Sequence, residues 1–301
     1  MSAASVFGVI LVLLAVGRAL RARGVVPEGS ADTLNVVALY VSMPASILLN
    51  VPELTFHREL LGLVAIPWIL LAASVALLAP IARVLRADRA TSACLLMQTP
   101  LGNTAFMGYA LVPALAGEGA LRYAVVYDQF GSFLILATYG LFVVASKSGA
   151  ARPTLGAVVR RVVLFPPFIA LVVGVTIVPR ELPPSVRLPL EMVSGTLLPL
   201  VGLALGMQLK LALPRRHLGP LGVAVVGKLV VVPLGALGLC ALFGVGGEMR
   251  AAAILESAMP TMMTTAALLS MADLAPDLAS AIVGYGTVAS MISLPLWRSA
   301  L

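Results

Sequence analysis

The chain has 301 residues, 60% of them hydrophobic and 11% charged, with a formal net charge of +7 and a mean hydropathy of +1.05. A soluble domain carries about a quarter of its residues as charges, so this chain cannot wet its own surface, and its expected solvent is a lipid bilayer. In a soluble protein the basic excess would suggest nucleic acid; here the bases sit in short joints between apolar runs, which excludes that partner and points to membrane orientation instead.

Ten apolar runs of transmembrane length follow one another at roughly 3–20, 33–50, 60–82, 90–114, 120–145, 155–178, 188–210, 217–243, 249–271 and 276–298. They lack the alternation of barrel strands, so an all-α membrane protein of ten transmembrane helices is expected. The first run precedes its arginines (Arg18, Arg21, Arg23), the reverse of a cleaved signal peptide, and reads as a retained span.

Joints after odd-numbered spans hold thirteen of the 20 Lys and Arg residues, including Arg83, Arg86, Arg152, Arg160, Arg161, Lys210, Arg215 and Arg216. Joints after even-numbered spans, with the C-terminus, hold six. This bias puts the odd joints in the cytoplasm and both termini outside. The ninth joint carries Asp273 and Asp277 and no base, but acids weigh little in this rule.

Span two holds Pro44 in SMPASILL, and span seven holds Pro199 in LLPLVGLAL. Span four opens with Arg89 and reaches Pro100; span nine opens with Arg250 and reaches Pro260. Tyr127 in span five answers Tyr285 in span ten. Five helices per unit would give the halves opposite orientation, so two inverted five-helix repeats are expected.

Helices broken at matching places in two inverted halves mark a transporter's binding site. Span four reads QTPLGNTAFMGYALVPAL: Pro100 removes a backbone donor, Gly102 loosens the helix, and Asn103 and Thr104 offer polar groups beside the freed backbone. Span nine reads ESAMPTMMTTAALLS, with Thr261, Thr264 and Thr265 around Pro260. Half-helix N-termini carry partial positive charge and suit an anion; the plainer reading is two proline kinks. Three ionisable residues fall inside spans: Asp128, Lys228 and Glu256. At ~1.5 Å per residue, Asp128 and Glu256 lie about 12 Å and Lys228 about 20 Å below the outer edge, near one level. Such residues usually face the bundle interior. The functional reading is a cation or proton site at Glu256 and Asp128, with Lys228 as counter-charge for an anion; the alternative is a structural salt bridge or a snorkelling lysine.

His57 and His217 lie in joints and are expected to be solvated. Cys94 and Cys240 read as free buried thiols, forming neither a disulfide nor a metal site. No metal-binding or reactive constellation of an intramembrane enzyme is visible, and no cofactor is expected.

The segments LGNTAFMGYALVPALAGEGALRYAVVYDQF (101–130), AMPTMMTTAALLSMADLAPDLASAIVGYGTVASMISLPLW (258–297) and LNVVALYVSMPASILL (34–49) resemble the auxin efflux carrier family, which includes plant auxin exporters and bacterial permeases, some of them carriers of malate or malonate. The resemblance spans nearly the whole chain. It implies a ten-helix fold in which spans four and nine cross at Pro100 and Pro260. It also implies a scaffold domain of spans one, two, six and seven (1–50 and 155–211), often a homodimer. The transport domain (60–146 and 217–298) would move like an elevator, with Asn103 on the substrate carboxylate. The short joint between spans five and six lacks the long loop of many plant members and argues for a bacterial permease of the cytoplasmic membrane. Glu256 is similar to a cation-binding Glu of the bile-acid sodium symporters, but Pro260 and Thr261 replace the Gln and Asn expected after it, so Na+, H+ and uncoupled transport all stay open. The expected function is a secondary carrier for a small organic anion held by Asn103, Thr104, Gly102, Pro100, Pro260, Thr261 and Lys228. The alternatives are a sodium-coupled symporter and a passive uniporter or channel.

Overall fold

A computed structural model describes residues 3–149, 154–209, 211–212 and 215–301. Arg152 and Lys210, counted above among the basic joints, lie outside the described residues, as does the side chain of Arg216. The described chain is helical, with no strand: α1 (Ala3–Ala22), α2 (Ser30–Glu53), α3 (Arg58–Val84), α4 (Arg89–Gln98), α5 (Thr104–Ala116), α6 (Ala120–Ser148), α7 (Leu155–Val163), α8 (Pro166–Thr176), α9 (Pro184–Gln208), α10 (Leu218–Phe243), α11 (Gly247–Ala258), α12 (Met263–Met271) and α13 (Pro276–Ser299). Every predicted apolar run contains helix. Six helices, α2, α3, α6, α9, α10 and α13, are each long and apolar enough to cross a membrane unaided. Residues such as Leu61, Leu77 and Val84 of α3 stay on the outer surface, where lipid can cover them.

Local chemistry sets the boundaries. The Asp88 side chain caps α4 by accepting from the Thr91 amide at 2.7 Å, and Thr154 caps α7 through the Ala157 amide. Pro166 and Pro167 open α8 where missing amide donors cost nothing, and the chain bends by 61° between α7 and α8. α7 buries none of its residues and carries Arg160 and Arg161 beside exposed Leu155, Val159 and Val163.

The helices pack in two groups. α1 lies along the second half of α9, and α2 packs on α8 and α9. At the α1–α9 crossing a Cβ on Gly17 would strike the Leu203 carbonyl and one on Gly206 the Leu14 carbonyl, so only glycine lets the two backbones touch. In the other group α10 packs on α3 and α11, α11 on α6 and α13, and α12 on α13 and α4. An apolar cluster joins the groups, with Ile10, Met43 and Val201 on one side and Met107, Leu121 and Leu255 on the other.

Several helices contain wider, π-helical turns: Ala38–Ser42 in α2, Asp128–Ser132 and Leu136–Gly140 in α6, and Gly227–Val231 in α10. α5 starts with another, Thr104–Gly108. Such turns insert a residue into the helical ladder and gather at functional sites. Thr104, Asp128 and Lys228 all sit in them.

Candidate functional site

Two helices stop and restart inside the molecule. α4 ends at Gln98 and the chain resumes helix at Thr104; α11 ends at Ala258 and α12 starts at Met263. Pro100 and Pro260 lie in the gaps, as the sequence predicts. The two gaps pair with each other as an isolated antiparallel bridge between Gly102 and Thr261. The Asn103 amide donates to the Pro260 carbonyl at 2.7 Å, and the Met262 amide to the Leu101 carbonyl at 3.0 Å. The Thr261 hydroxyl donates to the Gln98 carbonyl at 3.0 Å. Backbone groups freed by the two breaks thus satisfy one another, as irregular backbone must where water is excluded.

Buried polar side chains surround the crossing. Asp128 is 1% exposed and accepts from the Thr104 hydroxyl at 2.5 Å, the Tyr109 hydroxyl at 2.9 Å and the Gln129 amide at 2.8 Å. Lys228 is 2% exposed, and its ammonium donates to the Ser257 carbonyl at 2.7 Å in the last turn of α11. That same ammonium lies against Gly102, where a Cβ would be 2.9 Å from Nζ. Glu256 is fully buried; it lies against Gly108, whose Cβ would strike the carboxylate, and neither carboxylate oxygen has a hydrogen-bond partner. No ion pair within 4 Å joins Lys228 to a carboxylate among the described residues, so the expected alternative of a structural salt bridge does not form.

A cavity of about 330 Å³ opens beside the crossing. Asn103, Asp128 and Thr264 supply polar wall, while Phe106, Phe133 and Phe165 supply much of the rest. Asn103 is 1% exposed, and both ends of its side-chain amide lack a partner. Leaving a buried donor or acceptor unmet costs about 1–3 kcal/mol, so a ligand that meets this amide recovers that cost. Ala105 and Phe106 in the first turn of α5, and Thr264 in that of α12, also line the wall, bringing two helix N-termini to the cavity.

Of the nine site residues read from the sequence, Asn103 and Asp128 line this cavity. Thr104 touches it indirectly through Asp128. Gly102, Pro260, Thr261 and Lys228 are buried in the crossing behind it, Pro100 is half-buried there, and Glu256 lies beneath Gly108. Two further cavities lie near the crossing. The first, about 510 Å³ with Arg21 and Gln208 in its wall, shares Phe106 and Thr264 with the cavity that holds Asn103. The second, about 690 Å³ and bounded by Glu118 and Arg298, is lined by Tyr109, so the Tyr109–Asp128 hydrogen bond stands between two cavities.

Several expectations need correction or addition. His217 is buried rather than solvated, because it shares a cleft with the chain around Asp88 and Pro276, whereas His57 is exposed as expected. Tyr127 and Tyr285 are not equivalent in environment: Tyr127 is buried, while Tyr285 is partly exposed and donates to the Leu211 carbonyl. Arg161, read only as a joint base, lines the cavity that holds Asn103. Tyr109 also belongs to the polar cluster, bonded to both Asp128 and Gln129, and only its place in a long apolar run could have drawn attention to it. Cys94 and Cys240 are buried and free, as expected.

Two relatives match along nearly their whole length. An uncharacterized transporter of Methanothermobacter thermautotrophicus is 30% identical over 97% of this chain and 96% of its own. An uncharacterized transporter of Methanocaldococcus jannaschii is 24% identical over 96% of each. A family model described as membrane transport protein matches residues 4–298. With the breaks at Pro100 and Pro260 crossing as the sequence resemblance implies, the chain belongs to the membrane transport protein family, that of the auxin efflux carriers.

Proposed function

We propose that the protein is a secondary carrier that moves a small organic anion across the cytoplasmic membrane of a bacterium by alternating access. One observation carries this reading: the Asn103 side-chain amide is buried, unpartnered and set in the wall of a cavity where two interrupted helices cross. A volume of about 330 Å³ is at the small end of ligand pockets, which suits a carboxylate of a few carbons. The amide and the two helix N-termini favour negative charge. Thr104, Gly102, Pro100, Pro260, Thr261 and Lys228 shape the crossing that holds Asn103 in place.

In this reading the ten apolar runs are ten spans in two inverted repeats, with both termini outside. α1, α2, α7, α8 and α9 form the scaffold, through which two copies pair. The group containing both breaks moves against it as an elevator. Glu256, with Asp128, takes up the coupling ion, H+ or Na+. The unpartnered Glu256 carboxylate favours a coupled carrier over a passive uniporter or channel.

The test is a thermal-shift screen of purified protein against mono- and dicarboxylates, with and without sodium and across pH. A stabilising anion whose effect vanishes in Asn103→Ala, while the variant keeps its fold, supports the reading. Unchanged affinity of Asn103→Ala for every bound anion removes the site.

A further inference from the structure

Arg161 stands near the end of α7, two residues before the last position of that helix and just ahead of the bend into α8. In the sequence it is one of a pair of joint bases that orient a span, and such a base normally lies on lipid headgroups or in water. Its neighbour Arg160 answers that description and lines no cavity with the crossing. Arg161 instead forms part of the same cavity wall as Asn103, Asp128 and Thr264. Leu164, Phe165 and Pro166, at the 61° bend between α7 and α8, line the same side of the cavity. The Phe165 ring stacks on Phe133 of α6 at 4.0 Å between centroids and 12° between planes, which fixes the elbow carrying Arg161 against the cavity.

The charges of the wall are informative. Asp128 faces the cavity, but Thr104, Tyr109 and Gln129 already donate to its carboxylate. Lys228, the other cation near the crossing, spends a hydrogen bond on the Ser257 carbonyl and does not reach the cavity wall. Arg161 is therefore the cation in this wall among the described residues. A guanidinium offers paired donors in the plane a carboxylate needs. Asn103, with its two unmet amide ends, is the complementary contact deeper in.

We infer that Arg161 is the anion-selecting residue of this cavity: its guanidinium holds the substrate carboxylate at the mouth while Asn103 meets it from the crossing. The inference rests on the carrier reading above and adds to it the group that separates a carboxylate from its neutral analogue.

The experiment titrates purified full-length protein with benzoate, malonate and malate, each beside its matched amide, and measures affinity by calorimetry and melting shift. Wild-type protein binds at least one of these carboxylates in preference to its amide. Arg161→Gln weakens that carboxylate by about tenfold or more, the scale of one lost charge-assisted contact. It leaves the amide unchanged, so the preference collapses. Arg161→Lys restores much of it, because charge returns without the planar fork. Both variants melt within a few degrees of wild type, since Arg161 is exposed and supports no core. A wild-type preference in Arg161→Gln, alongside lost binding in Asn103→Ala, overturns the role of Arg161 and leaves the carrier reading standing. Failure of wild-type protein to bind any of the three anions overturns both.

Discussion

A carboxylate taken out of water is costly unless something neutralises it, and Glu256 is fully buried with both oxygens unpartnered. Its nearest cation, Lys228, turns its ammonium to the Ser257 carbonyl instead. Glu256 also lies so close to Gly108 that a methyl group there would strike it. Glycine at position 108 thus keeps room for the carboxylate. Glu256→Gln keeps the shape and removes the charge, so it should fold as wild type while uptake into proteoliposomes loses its dependence on pH or sodium. Persistence of that dependence would remove Glu256 from coupling. Gly108→Ala should cost about 1–3 kcal/mol by overpacking, read as a lower Tm. Glu256, Asp128 and Lys228 were readable from sequence because an ionisable group in an apolar run is conspicuous. Tyr109 was not, because a tyrosine among Leu, Ala and Val looks like packing until its hydroxyl is seen on Asp128.

Between broken helices, stability depends on each half supplying what the other lacks. Prolines told the sequence reader where α4 and α11 end, since Pro100 and Pro260 cannot continue the ladder. They could not tell which groups would cross-pair. The Thr261 hydroxyl on the Gln98 carbonyl is such a pairing, buried and 3.0 Å long. Thr261→Val keeps the shape but strands that carbonyl, so stability should fall by about 1–3 kcal/mol; Thr261→Ser should keep most of it. Equal melting temperatures for Val and Ser would show that the hydroxyl is not what ties the breaks together. The π-helical turns at Asp128–Ser132 and Gly227–Val231 left no local mark in the sequence. One extra residue per turn is a response to packing and burial around it, so a periodicity read along one segment cannot contain it.

Across the whole molecule, the helical class was legible from hydropathy alone, because lipid forces the backbone to satisfy itself within helices. The cavity was not, because its wall joins residues as far apart in sequence as Leu39 and Thr264. Arg161 shows the limit most clearly: as a joint residue it counts toward orientation, and only the bend between α7 and α8 carries it to Asn103. The wall is also divided between the two proposed domains, with Phe133 and Asn103 in the transport domain and Arg161 and Phe165 in the scaffold. Elsewhere the same two groups are tied by Arg122 of α6, which pairs with Glu53 of α2 at 2.9 Å. An exposed pair of that kind is worth at most about 1 kcal/mol and cannot hold the groups together by itself. If transport slides one group past the other, the Phe133–Phe165 stack must separate in every cycle. Cysteines placed at both positions, in a background with Cys94 and Cys240 replaced, should be bridged by a short bis-thiol reagent. Bridging should stop uptake, and a reducible bridge should restore it on cleavage. Anion binding should survive, because the cavity is held as it stands. Full uptake by the bridged protein would mean that the two groups do not move apart here, and the elevator would have to be abandoned for a gate within the cavity itself.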